Sequence, residues 1–339
     1  MTGVSPTQRP LTSDDVAYLL RASFGPHARV RDAGPLAGGG YATVWWALLD
    51  DDRRVALKLA PPAGTPLLRY ERGLCAAEAR YFQLVAKHAP QVPVPPVLWH
   101  GSDPAYGEWL VTTMLPGRSL SELAKADVAV DDSLARYDLG VALAALHRVT
   151  GDRFGYDGGR AGGPTWRAAF TAMLDALLAD ATDWHVRLPV TPDRLHTLVG
   201  RHADVLDEVR RPALLHFDCW DGNVLAAPDP DGRLRLHGLV DGERFLYGDP
   251  LLDLVSPLLF RRVEDEPEHP LLRGYRSAAG EPLVLDASAR RRLGLYRLHL
   301  YLLMTVEMPS RGMTARSHPG RSARLAALLD GEIAVLDRG

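Results

Sequence analysis

Between Leu11 and Phe24 the apolar residues Val16, Leu19, Leu20 and Phe24 share one helical face behind Thr12 and Ser13, which predicts a short capped amphipathic helix. The pattern then turns strand-like. Gly34 to Leu49 surrounds a glycine cluster, and Arg53 to Leu59 follows the turn-forming Asp50-Asp51-Asp52. Helical spacing returns over Leu74 to Lys87, where Leu74, Ala77, Tyr81 and Val85 recur at steps of three and four. Val92-Pro-Val-Pro-Pro ends that helix, and extended segments follow at Val97 to His100 and Glu108 to Met114. Beyond Pro116-Gly117 the texture changes. Helices are predicted over Leu134 to Val149, Trp166 to Ala181 and Asp193 to Arg210, with a glycine-rich loop from Gly151 to Gly163. A strand-loop-strand region, Ala213 to Val240, carries a hairpin-like Asp229-Pro-Asp-Gly turn. The remainder is helical in pattern, most strongly from Ala289 to Glu307. The expected architecture is α+β in two lobes: residues 1–115 form a small antiparallel-sheet lobe and residues 116–339 a larger, mainly helical one.

Composition narrows the function classes. The 339 residues give room for two lobes, and 46% hydrophobic with 24% charged residues describes an ordinary globular protein. A net charge of −3 supplies no positive field for nucleic acid or anionic lipid. No apolar run reaches the roughly 18–20 residues of a membrane span, and Met1 to Pro10 lacks the charged-then-apolar order of a signal peptide. Cys75 and Cys219 cannot by themselves build a disulfide framework or a zinc site. The cytoplasm is the expected compartment. Of 39 basic residues only Lys58, Lys87 and Lys125 are lysine, so a lysine in an apolar setting invites a question.

The densest chemical signal is Leu214-Leu-His-Phe-Asp-Cys-Trp-Asp-Gly-Asn-Val-Leu225. Apolar pairs on both flanks mark buried strands, and between them lie His216, Asp218, Asp221 and Asn223. Buried strands hold such a loop rigidly, as chemistry requires. The spacing His-x-Asp-x-x-x-x-Asn matches the protein-kinase catalytic loop, in which the Asp accepts the hydroxyl proton and the Asn binds magnesium. Downstream, Leu239-Val-Asp-Gly-Glu243 places Asp241 at the end of an apolar run, as a second magnesium ligand would be. Two hard oxygen donors completed by a triphosphate suit Mg²⁺ better than a transition metal. Either motif alone would read as turn-forming Asp and Asn. In this order and at this spacing they point to phosphoryl transfer.

The first lobe offers matching partners. Leu36-Ala-Gly-Gly-Gly-Tyr-Ala-Thr-Val44, with Gly39 and Gly40, reads as a glycine hairpin whose backbone can approach phosphates, or as a plain β-turn. It fits G-x-G-x-x-G poorly, and the chain has no GK[ST] P-loop. Lys58, in Val55-Ala-Leu-Lys-Leu59, needs an anion if it faces inward. Glu78 lies on the apolar face of its helix and is the candidate partner, with Glu71 as the competing acid.

With these pieces in place the sequence resembles the aminoglycoside phosphotransferase family, relatives of protein kinases that phosphorylate small molecules. The resemblance runs from about Gly34 to Glu307. It takes in Pro93-Val-Pro95, Leu110-Val-Thr-Thr-Met-Leu-Pro-Gly117, Leu139-Gly-Val-Ala-Leu-Ala-Ala-Leu-His147 and Gly248-Asp-Pro-Leu-Leu-Asp-Leu254. It implies a protein-kinase-like fold, ATP or GTP as donor and Mg²⁺ as cofactor. Asp218 resembles the catalytic Asp, Asn223 and Asp241 the metal ligands, and Lys58 with Glu78 the phosphate-orienting pair. Thr113, Met114 and Leu115 resemble the adenine-binding connector. Asp249 and Asp253 are expected to buttress the loop, and His147 and Trp166 to pack.

Two departures stand out. Phe217 replaces the family's usual Gly between His and Asp, and Asp241-Gly242-Glu243 lacks the common aromatic. Trp220-x-Gly-Asn is similar to fructosamine kinases, so two acceptor classes are expected: an antibiotic of aminoglycoside, peptide or nucleoside type, or a sugar, fructosamine or amino alcohol. Asp221, Glu243 and Glu307 are candidate acidic contacts for an amine-bearing acceptor. Only seven residues separate Asp241 from Asp249, too few for the activation loop of a protein-substrate kinase. No sequence feature bears on the oligomeric state.

Overall fold

The first helix begins where its capping chemistry dictates. Thr12 and Asp15 form a reciprocal capping box at the head of α1 (Ser13–Phe24), and Val16, Leu19 and Leu20 are buried along its inner face. The computed structural model describes residues 5–36, 39–125, 130–280 and 282–338; Ala37 and Gly38 of the glycine cluster lie outside them. After α1 come β1 (Val30–Pro35), β2 (Thr43–Leu49), β3 (Arg54–Leu59), α2 (Leu74–His88), β4 (Val97–Asp103) and β5 (Gly107–Thr113). The strands form a five-stranded antiparallel sheet in the order β1-β2-β3-β5-β4. One face of this sheet, with Val55, Leu57 and Leu59, packs on Val16, Leu19 and Leu20 of α1. The opposite face looks toward α2 and the rest of the chain.

The second lobe starts with β6 (Arg118–Ser119), α3 (Leu120–Leu123), α4 (Ser133–Leu146), β7 (Phe154–Tyr156), β8 (Gly162–Gly163) and α5 (Trp166–Asp183). It continues through α6 (Pro192–Arg201), α7 (Ala203–Asp207), β9 (Ala213–Leu215), β10 (Val224–Pro228) and β11 (Leu234–Leu239). β12 (Leu246–Gly248), α8 (Pro270–Ala278), α9 (Ala287–Val306) and α10 (Pro319–Leu336) complete the chain. The expected two-lobed α+β arrangement is the one observed. Among the described residues no helix is long and apolar enough to cross a membrane.

Two expectations need correction. The segment expected as one helix over Asp193 to Arg210 is two, α6 and α7, joined at His202. That side chain is buried and bonds the Leu336 carbonyl through Nε2 at 2.9 Å, an attachment to the C-terminal helix that local spacing does not reveal. The glycine-rich stretch from Gly151 to Gly163, expected as loop, contains β7 and β8. β7 pairs with β12 through Leu246↔Tyr156, and β12 pairs with β9, so the strand exists because distant segments complete its ladder.

Candidate active site

Strand alternation aims Lys58. With Val55, Leu57 and Leu59 turned to the α1 side, the intervening Lys58 emerges on the opposite face, toward α2. There Nζ lies 2.8 Å from Asp241 Oδ1 and 2.8 Å from Glu243 Oε2, and donates hydrogen bonds to both. Glu78, 3% exposed on the inner face of α2, approaches at 2.7 Å, an ion-pair distance without a hydrogen bond's alignment. Glu71, the competing acid, lies elsewhere: it pairs with Arg311 and accepts the Leu68 N–H. Burial alone would lower the Lys58 pKa, but Asp241, Glu243 and Glu78 outweigh it and hold the ammonium well above its ordinary range. Burial pushes the Glu78 carboxyl up, Glu243 and Asp241 add to this, and Lys58 opposes it.

The turn that delivers Asp241 is constrained from both sides. Asp241 adopts a left-handed φ of 59°, and a Cβ on Gly242 would stand 2.1 Å from the Tyr81 ring. Tyr81 itself is fully buried on α2, so this contact fixes the Asp241-Gly242-Glu243 turn against the helix carrying Glu78. Leu239, just before it, donates to the Pro93 carbonyl at 2.8 Å, which gives Pro93-Val-Pro95 a local role.

The loop between β9 and β10 is suspended from a buried carboxylate. Asp253 Oδ2 accepts the His216 N–H at 2.9 Å and Oδ1 the Phe217 N–H at 2.6 Å. His147, expected only to pack, joins the Tyr275 hydroxyl on Nδ1 (2.8 Å) to Asp253 on Nε2 (3.1 Å). Asp249 works at one remove: it caps the Leu251 N–H and accepts from Tyr296, to which Trp166 Nε1 also donates. His216 is fully buried; Nε2 meets the Val240 carbonyl at 3.0 Å and Nδ1 accepts the Asp218 N–H at 3.3 Å. Phe217 has a φ of 69°, a conformation glycine adopts freely and a bulky side chain does not, which accounts for the family's usual Gly at this position but not for the Phe. Its ring is held by edge contact with Tyr156 and by His299.

Past Phe217, the Asp218 carboxylate lines the cleft. Burial pushes its pKa up to about 7; Glu243, Glu307 and Asp241 add to the rise, and Arg244, whose Nε is 3.7 Å away, opposes it. Asn223 donates from Nδ2 to the Asp218 backbone carbonyl at 2.9 Å, which commits the donor end of its amide and leaves the oxygen free. Trp220 packs where a Cβ on Gly222 would lie 2.2 Å from its ring, so this glycine is required between Trp220 and Asn223.

These groups share one cavity of about 830 Å³ between the lobes, lined by Gly39, Gly40, Lys58, Asp218, Asn223, Asp241, Glu243 and Glu307. Glu78, Asp241 and Glu243 oxygens lie within 4.8 Å of one another around the Lys58 ammonium, and Asn223 lines the same cleft as Asp241. The hard oxygens of Asn223 and Asp241 are of the kind Mg²⁺ takes. The connector is less open than expected. The Thr113 and Met114 N–H groups donate to Pro96 and Arg54 carbonyls at 3.1 and 3.0 Å, and none of Thr113, Met114 and Leu115 lines this cavity.

Two further corrections concern the acidic residues. Asp221 does not line the cleft; its carboxylate is gripped by Arg136 through two bonds of 3.0 Å. Glu243 and Glu307 do line it, but both are engaged, Glu243 by Lys58 and Glu307 by the Tyr70 hydroxyl and Arg244 Nη2 at 2.7 Å. Arg311, four residues along, is 3.9 Å from Glu307.

Residues 32–293 match the model of the phosphotransferase enzyme family, APH. The chain belongs to this family. A search of curated proteins finds no match. Among solved structures, a protein provisionally assigned as fructosamine-3-kinase from Thermobifida fusca aligns with a TM-score of 0.68 at 19% identity, over 97% of this chain and 100% of its own. A type I macrolide 2'-phosphotransferase aligns with a TM-score of 0.60 at 18% identity, over 94% of this chain and 99% of its own. An aminoglycoside phosphotransferase in ternary complex with ADP and hygromycin B aligns with a TM-score of 0.55 at 19% identity, over 94% and 98%. At these identities the likeness establishes the fold, which is protein-kinase-like.

Within this phosphotransferase, sequence reasoning missed two features. Arg244, which no sequence motif singles out, sits between Asp218 and Glu307. The segment before α1 buckles the glycine hairpin: Gln8 Nε2 donates to the Gly39 and Ala42 carbonyls at 2.9 and 3.0 Å, and Thr7 Oγ1 to Gly40 at 3.1 Å. Neither contact has a local signature, because each spans a long stretch of chain.

Proposed function

We propose that this family member transfers the γ-phosphate of a nucleoside triphosphate, ATP or GTP, to a hydroxyl of a small molecule in the cytoplasm. The observation that carries the proposal is the convergence of Asp218, Asn223, Asp241 and Lys58 on one cleft. Residues 1–115 orient the nucleotide: Lys58, held by Glu78, meets its phosphates, and Gly39 and Gly40 cover them. Asn223 and Asp241 would hold Mg²⁺, which when bound neutralises charge on the triphosphate. Asp218 orients the acceptor hydroxyl and takes its proton, while Arg244 holds positive charge beside that carboxylate.

The acceptor lies on the wall of the second lobe, where Trp220, Leu259, Leu300 and Met304 give an apolar surface with Glu307 at its edge. This surface suits a hydroxyl-bearing natural product such as an antibiotic, while the carboxylates of Asp221, Glu243 and Glu307 are each already paired with a basic residue. A metabolic kinase of the fructosamine type is the second reading, favoured by Trp220-Asp221-Gly222-Asn223 and by the 0.68 TM-score to the Thermobifida protein.

Asp218→Asn should lower transfer by about 10²–10⁴ while nucleotide affinity stays near wild type. Retention of more than about a tenth of turnover would remove Asp218 from the proton-transfer role. The acceptor class is tested by mass-detected phosphorylation of a panel: aminoglycoside, macrolide, peptide and nucleoside antibiotics, their N-acetylated forms, fructosamines and free sugars. Exclusive phosphorylation of fructosamines or neutral sugars would replace the antibiotic reading.

A further inference from the structure

Behind the inner wall of the cleft lies a second cavity of about 510 Å³, between the segment preceding α2, the β7–β8 turn and α5. Its lining includes Arg69, Arg72, Arg160 and the single carboxylate Asp180, with Met173 and Leu177 as apolar floor. Asp180 is already spoken for: it accepts from the Arg69 backbone at 3.0 Å and from Arg69 Nη1 at 2.6 Å. Arg160 is different. Among the described residues it has no carboxylate partner; it donates only to backbone carbonyls, Asp157 (2.8 Å), Tyr70 (2.8 Å) and Glu243 (3.4 and 3.5 Å). Burial draws its pKa below the ordinary arginine value, the direction expected of a desolvated cation without a counter-ion. Its neighbour Asp157 is engaged by Arg80. Exposed Arg72, on the same cavity, has no ion pair among the described residues. The Arg160 guanidinium lies over the ring of buried Tyr156, 5.1 Å from its centroid.

A partly desolvated guanidinium is costly without an opposite charge, and backbone carbonyls return only part of that cost. Two arginines without carboxylates on one concave surface, with an apolar floor beside them, are complementary to an oxyanion on a small apolar body. We propose that this cavity is a second ligand site, distinct from the catalytic cleft, that binds a small organic oxyanion, a phosphate monoester or a carboxylate, through Arg160 and Arg72. The proposal does not depend on what the catalytic cleft transfers.

The test is calorimetric titration of the full chain with phenyl phosphate and with benzoate, with and without excess AMP-PNP to occupy the main cleft. Benzyl alcohol serves as the uncharged control. One equivalent of oxyanion should bind in the presence of AMP-PNP, benzyl alcohol should not bind, and the tighter of the two anions identifies the head group. Arg160→Gln and Arg72→Glu should each weaken that binding at least about tenfold. Because Arg160 also bridges backbone carbonyls, circular dichroism must show the Arg160→Gln variant folded; exposed Arg72→Glu carries the test if it is not. Binding abolished by AMP-PNP, equal binding of benzyl alcohol, or undiminished affinity in Arg72→Glu would overturn the proposal.

Discussion

Asp253 offers the sharpest test of how the catalytic loop is held. Its carboxylate is fully buried and accepts two consecutive backbone N–H groups, His216 at 2.9 Å and Phe217 at 2.6 Å, besides His147 at 3.1 Å. In Asp253→Ala both N–H groups lose their acceptor in a region closed to water. An unsatisfied buried donor costs roughly 1–3 kcal/mol, so the loss should be about 2–6 kcal/mol, a large share of the ~5–15 kcal/mol that keeps a domain folded. Asp253→Asn is gentler and more diagnostic. Its remaining oxygen can serve His216 and His147, but its NH₂ then meets the Phe217 N–H, donor against donor, so about 1–3 kcal/mol should be lost. Because Asp218 follows Phe217 directly, transfer should fall more than nucleotide affinity. Urea denaturation measures the first effect, and hydrogen exchange of the peptide 213–225 localises it. An Asp253→Asn variant within about 0.5 kcal/mol of wild type, with unaltered exchange in that peptide, would refute the suspension of the loop from this carboxylate.

Other expectations follow from the same geometry. Asn223→Ala and Asp241→Ala should each raise the magnesium needed for half-maximal transfer, since each removes an oxygen ligand; superimposable titrations would exclude both as ligands. Lys58→Ala should raise KM for the nucleotide and resist rescue by added magnesium, and full rescue would place Lys58 away from the phosphates. Gly242→Ala puts a methyl group 2.1 Å from the Tyr81 ring, so it should lower stability by about 1–3 kcal/mol, read as a shift in denaturation midpoint. Burial lowers the His299 pKa from 6.5 to about 4. The unfolded chain therefore takes up this proton first: the stabilisation is complete above about pH 6.5 and is lost as pH falls toward 4, by roughly 3 kcal/mol in all. His299→Leu should flatten stability across that window, and an unchanged slope would mean that His299 does not govern it.

The sequence alone determined the two-lobed α+β class, most elements and some of the groups that line the cleft, among them Lys58, Asp218, Asn223 and Asp241. The reason is that the decisive signals are local. Val55, Leu57 and Leu59 alternate with Lys58, and that period of two commits Lys58 to the other face. Leu74, Glu78 and Tyr81 share a helical stripe, which brings Glu78 rather than Glu71 to Lys58. The Phe217 departure was legible as a substitution, although its left-handed backbone was not. The tertiary structure decided everything that depends on partners far along the chain. β7 exists because β12 pairs with it, and one helical pattern became α6 and α7 where His202 bonds Leu336. Charge assignments followed the same rule. Asp221, Glu243 and Glu307 carry the carboxylates an amine would seek, but Arg136, Lys58 and Arg244, from other segments, had already claimed them. Periodicity shows which way a side chain points; its counter-ion is set by whichever segment packs opposite, and no local pattern encodes that.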